Sequence, residues 1–208
     1  VGGRPLSVNW IAQNVQALVQ AWEPGSLGGR ALANILAGKV NPSAKLPISI
    51  PRHSGQIQMI YNHKPSQYFH KYIDGPSTPL YPFGFGLSYT RFAYSSLKLS
   101  HTRISDKDSF TASIELTSVG DREGTEVVQL YIRDIYSSAT RPVKELKDFA
   151  RVTLKPGEKK TVTFTVTPDK LAYWNRNMQY GVEKGEFEIM IGSSSQDKDL
   201  KKVKMEVL

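Results

Sequence analysis

Apolar and polar residues alternate in at least six short segments after residue 90, and this period of two is the strongest constraint on the fold. Successive side chains of a β-strand point to opposite faces, so each segment can bury one face and expose the other. The first of the six spans residues 92–100. The apolar faces of the other five are Phe110, Ala112, Ile114 and Leu116; Val128, Leu130 and Ile132; Val162, Phe164 and Val166; Phe187, Ile189 and Ile191; and Val203, Met205 and Val207. Turn sequences such as SVGDREG and LKPGEKK separate them, and the pattern predicts a β-sandwich of the immunoglobulin or fibronectin type.

The first 90 residues have a different composition. They contain nine of the twelve prolines and ten of the sixteen glycines, but only two acidic residues, Glu23 and Asp74. The sequence SLGGRALANILAGK predicts a helix that begins at Gly28 and Gly29 and ends at a left-handed cap at Gly38. Tight packing of the helix start is a sufficient reason for the two glycines, although free backbone amides there could also bind a phosphate.

The segment before this helix fits two structures. Five apolar residues are spaced as on one face of a helix: Val8, Ile11, Val15, Leu18 and Trp22. However, the segment runs directly into Pro24 and Gly25, which equally suits a strand that ends in a loop. The residues alone leave both alternatives open. Further along, NPSAKLPISIP predicts a turn and then a short strand between Pro47 and Pro51.

The formal net charge of +8 suggests at first a nucleic-acid-binding protein. The basic residues are scattered, however, and the densest cluster lies in an alternating segment whose charged side chains can all face water. That cluster is Lys198, Lys201, Lys202 and Lys204. The pattern favours a solvated strand face, so no nucleic-acid partner is predicted. The chain has no cysteine and no apolar run long enough for a membrane span, so neither disulfides nor membrane insertion is expected.

A set of longer motifs runs through the chain in a fixed order. The first half contains GGRPL at residues 2–6, AWEPGSLGGRALANILAGKVNPSAKLPISIPR at 21–52 and PLYPFGFGLSYTRFAYS at 79–95. The second half continues with EGTEVVQLYIRD, RPVKELKDFARVTLKPGE, LAYWN and GEFEIMIGSSS. Together they resemble the C-terminal part of glycoside hydrolase family 3 enzymes, in particular periplasmic β-glucosidases. Ala44 stands where the family usually has glycine, so its backbone is expected to adopt a conformation that alanine tolerates.

The resemblance implies an α/β part followed by an all-β part. Residues 1–78 would be the C-terminal remnant of an α/β sandwich (flavodoxin-like) domain, 79–91 an aromatic and glycine-rich joint, and 92–208 a fibronectin type III-like β-sandwich. It also implies a short helix or turn at 8–14 and a strand near 16–22. Because so few elements cannot cover both faces of a sheet, residues 1–90 are expected to depend on polypeptide outside this chain. Their apolar residues should pack against that polypeptide or lie exposed, namely Leu18, Trp22, Ile35 and Leu36.

The joint combines many aromatic residues with residues that control the backbone. Aromatic rings bury a large area at low rotamer cost, and glycines let the backbone pass close to them. Structural roles are therefore expected for Pro82, Phe83, Gly84 and Gly86. The alternative is a platform on which sugar rings stack, but no carboxylate or amide lies beside the joint in sequence to bind hydroxyl groups.

A second aromatic pair follows the sequence TPDKLA. Thr167 and Pro168 predict the N-cap and first residue of a helical turn. Tyr173 and Trp174 then either plug one end of the sandwich or, if exposed, form a candidate carbohydrate-binding surface.

The catalytic residues are expected to lie outside this chain. Retaining glycosidases use two carboxyl groups about 5–5.5 Å apart. In family 3 the nucleophilic aspartate belongs to the barrel domain and the acid/base glutamate to the α/β domain upstream of Val1, so the resemblance implies no catalytic residue here. Glu23 precedes a loop at a predicted strand end and is a candidate for the rim of a substrate pocket, with a solvated loop acid as the alternative. The four histidines lack metal-ligand spacing, and neither a metal nor a cofactor is expected.

The resemblance thus implies the C-terminal structural portion of an exo-acting, retaining β-glycosidase, expected to be a β-glucosidase. Its partners would be the N-terminal barrel and the rest of the α/β domain of the same enzyme. The whole enzyme would act on carbohydrate substrates in the periplasm or outside the cell, whereas this chain alone should be inactive. The alternative is a stand-alone carbohydrate-binding or interaction module.

Overall fold

The computed structural model describes residues 2–65, 72–73 and 75–208. The helices in these residues are α1 (Asn9–Asn14), α2 (Gly28–Leu36) and α3 (Pro168–Leu171). The strands are β1 (Phe92–Tyr94), β2 (Lys98–Leu99), β3 (Arg103–Ile104), β4 (Phe110–Ser118), β5 (Gly124–Asp134), β6 (Glu145–Leu154), β7 (Lys159–Val166), β8 (Tyr173–Trp174), β9 (Tyr180–Gly181), β10 (Gly185–Gly192) and β11 (Leu200–Val207). Within the described residues, none of the helices is long and apolar enough to cross a membrane.

Two sheets pack face to face and form the predicted sandwich. In the first, β1 and β2 pair with one edge of β4, and β7 pairs with the other. The second has the order β3–β11–β10–β5–β6 and is antiparallel except where β3 meets β11. The apolar faces predicted from the alternation are buried between these sheets, which confirms the strand assignments. A short hairpin of β8 and β9 lies apart from both sheets.

Two strand predictions were incomplete. The single strand predicted over residues 92–100 is split into β1 and β2, because Ser95 breaks the ladder: its Oγ accepts a hydrogen bond from the Glu115 amide at 2.9 Å. The alternation also missed β6, whose outer face carries an exposed Phe149. The pairing of β5 with β6 shifts register between Leu130 and Tyr131, which further obscures the period of two.

The α/β-like part contains helices but little strand structure. α1 confirms the short helix expected within residues 8–14, and α2 ends as predicted, with Gly38 at a φ of 70°. The Gly38 amide donates to Ile35 O and the Lys39 amide to Asn34 O, which is a Schellman cap. The strand expected near residues 16–22 is absent, because no second strand lies beside that segment in the described residues. The strand expected between Pro47 and Pro51 is reduced to one bridge, between Ile50 and Tyr81.

The second sheet is covered on its outer face as well. Tyr131, Met190 and Leu200 are buried on that face, under Tyr61 and Phe83. Residues 41–65 and 79–90 therefore lie against the sheet, and they hold the joint against the sandwich.

The chain before residue 49 has almost no core of its own. Gly28 is the one buried residue in 2–48, all of which the structure describes. Leu36 is 73% exposed and Leu18 is 42% exposed, as predicted, whereas Trp22 and Ile35 are half-buried. Exposed apolar side chains in this segment are Leu6, Trp10, Ile11, Val15, Leu18, Val19, Leu27, Leu36, Val40 and Ile48.

Candidate functional site

Residues 82–85 of the joint form a tight turn whose third position suits glycine best. The Phe85 amide donates to Pro82 O at 3.2 Å, and Gly84, the third residue of this turn, has a φ of 78°. A turn with a positive φ at its third residue favours glycine there, because other L-residues rarely adopt that φ. A Cβ on Gly84 would also lie 2.1 Å from Gln129 Oε1. Both the backbone conformation at position 84 and the close approach of Gln129 from the sheet therefore favour glycine there.

Gln129 of β5 ties this turn to the sheet. Its Nε2 donates to Gly84 O at 3.1 Å and to Ser193 O at 2.8 Å, and its Oε1 accepts from the Tyr131 hydroxyl. The Ser195 amide donates to Phe83 O at 3.0 Å. Both polar atoms of the buried Gln129 amide group thus have partners, and the bond from Nε2 to Gly84 O ties the joint to the sheet.

Aromatic rings fill the space next to this network. The rings of Phe83 and Tyr61 stack with centroids 4.2 Å apart, and Tyr61 meets the edge of Tyr131 at 5.9 Å. Burial raises the pKa of the Tyr131 phenol well above its usual value, and the neighbouring Tyr61 adds to the rise. Phe83 is half-buried in this stack, so its ring packs on the chain itself rather than standing free as a platform.

A nearly buried ion pair fixes the preceding segment. Lys45 Nζ lies 2.8 Å from Glu126 Oε1 on β5 and donates to Gly86 O at 3.1 Å. A Cβ on Gly86 would lie 2.4 Å from Ala44 O, so the two backbone segments touch here. Ala44 itself has an ordinary negative φ, which confirms that alanine is tolerated at that position.

The glycines at the start of α2 differ in their surroundings. Gly28 is buried, and a Cβ there would lie 2.5 Å from the ring of Pro24. A Cβ on Gly29 would meet no atom within 4 Å. Close packing inside the chain therefore explains Gly28, while the structural role predicted for Gly29 has no counterpart among these contacts.

Glu23 lies in an exposed loop beside Gly3, whose added Cβ would be 2.3 Å from Glu23 Oε1. Trp22, just before it, has a φ of 51°, which is unusual for a bulky residue. Neither of the two clefts described next includes Glu23. Asp74, the other acidic residue of this half, lies outside the described residues.

Two clefts open on the surface of the sandwich. The larger, about 580 Å³, is polar and lies between the end of α2 and the loop before β5, with Lys39, Asn41 and Arg122 among its lining residues. The smaller, about 180 Å³, lies at the end of β5 next to Asp134, Tyr136 and Arg141. The sequence indicated neither cleft: the larger is built from distant parts of the chain, and the smaller, although lined mainly by residues 133–142, has no residue spacing there that marks a site.

The second aromatic pair is divided between core and surface. Thr167 is the N-cap residue and Pro168 the first residue of α3, as predicted, although the Thr167 side chain makes no capping hydrogen bond. Tyr173 is buried, whereas Trp174 is 60% exposed and packs beside Tyr180 with centroids 5.4 Å apart.

The basic strand at the C-terminus is paired with acids. Lys202 lies near Glu188 and Asp197, and Lys204 lies 3.2 Å from Glu186. The positive charges of this strand are therefore offset locally, which favours the solvated strand face predicted from the sequence.

Sequence models of known families match most of the chain. The glycosyl hydrolase family 3 C-terminal domain matches residues 1–89, and the fibronectin type III-like domain matches residues 126–195. A periplasmic β-glucosidase of Salmonella typhimurium is 44% identical over 205 residues, which are 94% of this chain and 27% of that protein. The chain belongs to glycoside hydrolase family 3. A β-xylosidase of Formosa agariphila is 45% identical over 210 residues, which are 100% of this chain and 29% of that protein.

Solved β-glucosidase structures share the same fold. A β-glucosidase from Erythrobacter marinus superimposes with a TM-score of 0.95 at 43% identity, over 100% of this chain and 27% of that one. A β-glucosidase from Listeria innocua in complex with glucose gives 0.91 at 37% identity, over 98% and 29%. The chain thus spans less than a third of these relatives and corresponds to their C-terminal part.

Proposed function

We propose that this chain is the C-terminal structural portion of a retaining, exo-acting β-glycosidase that hydrolyses terminal sugars of oligosaccharides or glycosides. The relatives named above include β-glucosidases and a β-xylosidase, and we favour β-glucosidase. The nucleophilic aspartate and the acid/base glutamate would come from polypeptide that precedes this chain. We further propose the division into residues 1–78, 79–91 and 92–208, with the middle segment as the joint.

One observation carries this proposal: the chain joins a well-packed sandwich to a segment that lacks a core. Residues 2–48 leave ten large apolar side chains exposed, while the sandwich buries its predicted apolar faces. Exposed apolar area of this kind is unfavourable in water and marks a surface that another part of a protein covers. We assign that cover to the rest of the α/β domain and to the barrel of the same enzyme.

The proposal places the intact enzyme in the periplasm or outside the cell. Its support is the Salmonella relative, which is named as periplasmic. The absence of cysteine is compatible with this location, since domains of this size fold there without disulfides.

Activity measurements test the proposal directly. The 208-residue chain should not cleave an aryl β-glucoside or an aryl β-xyloside above background. The full-length polypeptide should cleave one of them with retention of configuration. Hydrolysis by the isolated chain, lost on Glu23→Gln, would place a catalytic carboxylate inside it and contradict the proposal.

The exposed apolar side chains of residues 2–48 have their own test. Leu36→Asp and Trp10→Asp place charges on side chains that are 73% and 71% exposed, so they should barely change the stability of the isolated chain. In the full-length polypeptide the same changes should lower the melting temperature, because they would bury a charge in an interface. Leu87→Asp, in a similarly exposed joint residue, is the matched control.

A further inference from the structure

At the small cleft at the end of β5, two buried polar atoms have no hydrogen-bond partner among the described residues. Asp134 is only 8% exposed, and its Oδ2 makes no hydrogen bond. Arg141 lines the same cleft, and its Nε is likewise buried without a partner. Although both side chains are described, they do not form an ion pair with each other, since Arg141 pairs instead with Glu145.

Leaving such atoms unpaired is unfavourable for folding. A buried polar group without a hydrogen bond loses its bonds to water and gains none in return, and the loss is larger for a charged group. Burial accordingly raises the pKa of the Asp134 carboxyl to about 6, against the opposing effect of Arg141. Unsatisfied groups in the wall of a cleft call for an explanation, and a ligand that enters the cleft and hydrogen-bonds to them supplies one.

The surrounding loop holds these two groups in place. The Arg141 guanidinium stacks on the ring of Tyr173, 4.4 Å from its centroid. Ser138 donates to Glu183 through both its hydroxyl, at 2.6 Å, and its amide, at 2.9 Å. The Tyr173 hydroxyl lies 3.1 Å from Ser138 Oγ, so the aromatic ring and the loop form one network. These contacts hold Arg141 beside the cleft, and because Asp134 Oδ2 and Arg141 Nε have almost no exposed surface, a small shift of the side chains must accompany binding.

The chemistry of the cleft indicates which ligands fit. Asp134 Oδ2 can only accept when ionised, and Arg141 Nε–H can only donate, so a hydroxyl group, which does both, suits the pair. A free anion would face the Asp134 and Glu145 carboxylates, and a free cation would face Arg141. Tyr136, which is 79% exposed, lines the same cleft and offers a ring face to an apolar surface. The volume of about 180 Å³ has room for several waters or for one sugar ring.

Resting on the proposed function, we propose that the cleft lined by Asp134, Tyr136 and Arg141 is a sugar-binding subsite on the β-sandwich. It would take a neutral pyranose or furanose ring, with two hydroxyl groups on Asp134 and Arg141 and one ring face on Tyr136. A subsite of this kind would hold a glycan that the enzyme's catalytic part then processes.

Titration of the 208-residue chain tests the subsite without any hydrolysis. Methyl β-glucoside, methyl β-xyloside and cellobiose are added to isotope-labelled chain, and amide shifts are followed by NMR. We expect saturable shifts confined to residues around 134–141. Asp134→Ala should weaken binding about tenfold or more, the loss expected for a charge-assisted hydrogen bond, and Tyr136→Ala should weaken it about tenfold through the lost contact with the ring face.

Matched variants separate this site from other surfaces. Asp169→Ala removes an exposed carboxylate, and Trp174→Ala removes the other candidate aromatic surface; both should bind as the unchanged chain does. Absence of saturable shifts with all three sugars, or equal affinity in Asp134→Ala, would show that the cleft holds only water and would overturn the proposal. Loss of binding in Trp174→Ala alone would move the site to the β8–β9 hairpin and overturn it as well.

The full-length polypeptide gives the second measurement. Its Asp134→Ala and Tyr136→Ala variants should lose affinity for methyl β-glucoside and methyl β-xyloside at the subsite. If the intact polypeptide fails to bind where the 208-residue chain succeeds, the rest of the enzyme covers the cleft and the proposal is wrong. This outcome is independent of whether the enzyme is active.

Discussion

A methyl group on Gly84 would face two penalties at once. At a φ of 78°, an L-side chain costs about 1–2 kcal/mol, and the contact with the buried Gln129 amide adds about 1–3 kcal/mol of overpacking. We therefore expect Gly84→Ala to lower the free energy of unfolding by about 2–5 kcal/mol in chemical denaturation. To make room for the methyl group, the Gln129 side-chain amide would have to break its hydrogen bonds to Gly84 O and Ser193 O.

Gly157 is the matched control for this substitution. Its φ of 75° is almost the same, but a Cβ there would meet no atom within 4 Å. Gly157→Ala should therefore cost only the backbone part, about 1–2 kcal/mol. Equal losses in the two variants would show that the contact between the joint and β5 contributes nothing.

Asp134 makes stability depend on pH in an unusual direction. Its pKa is raised to about 6, mainly by burial, so the folded chain binds a proton that the unfolded chain has already released. Arg141, Glu145 and Glu183 are the charged groups that also act on it. This contribution is fully present below pH 4 and is lost as the pH rises through about 6.

Asp134→Asn tests this dependence. The variant should be more stable than the unchanged chain at pH 7.5, by about 1–2 kcal/mol after allowance for solvent, and should lose that advantage at pH 4. Urea denaturation at the two pH values measures the difference. An advantage that is the same at both values would mean that the Asp134 carboxyl titrates normally.

At the scale of elements, the Lys45–Glu126 pair fixes the segment after α2 to β5. Both side chains are almost fully buried, so Glu126→Gln leaves the Lys45 charge without its partner. We expect a loss of about 3 kcal/mol in the free energy of unfolding. Glu186→Gln, which breaks the exposed pair with Lys204, should cost less than about 1 kcal/mol. Similar losses in the two variants would show that the burial of the first pair has no energetic effect.

Strands with one buried face were predictable from the sequence, while strands that differ from this pattern were not. β4, β7, β10 and β11 alternate cleanly, and their predicted inward residues lie in the core. The outer face of β5 was missed, because Gln129 reads as a solvent-facing residue between apolar neighbours. The nearly continuous run VVQLYI was the available signal, since such runs are typical of strands that are buried on both faces.

The candidate subsite was harder to predict for a related reason. Asp134 ends β5 and Arg141 lies in the following loop, and nothing in their spacing indicates that both polar atoms are buried. Burial comes from the fold around them. Conversely, Glu23 stood out in the sequence because acids are rare in that half, but its loop position alone gives no partner. The scarcity of acidic residues in the first half is a feature of its composition, whereas a site depends on which side chains the fold places next to each other.

At the scale of the whole molecule, shortened chains should separate the uncovered segment from the packed one. A chain of residues 41–208 keeps the ion pair of Lys45 and the cover over Tyr131. It should unfold at nearly the same denaturant concentration as the 208-residue chain. A chain of residues 92–208 exposes Tyr131 and Met190 and should be clearly less stable.

Limited proteolysis should accordingly cut the 208-residue chain first within residues 2–40. Equal protection of that segment in a monomer would contradict the assignment of a missing cover.

The outer cover of the second sheet also affects how fast its amides exchange with solvent. β5 and β10 are central strands with hydrogen-bonded neighbours on both sides, and packed side chains lie above and below them. Their amide protons can reach water only when the sandwich opens or when the joint lifts away. In deuterium exchange, these two strands should be the last part of the chain to be labelled, and the rate at which the Gly84→Ala variant is labelled would report how often the joint leaves the sheet.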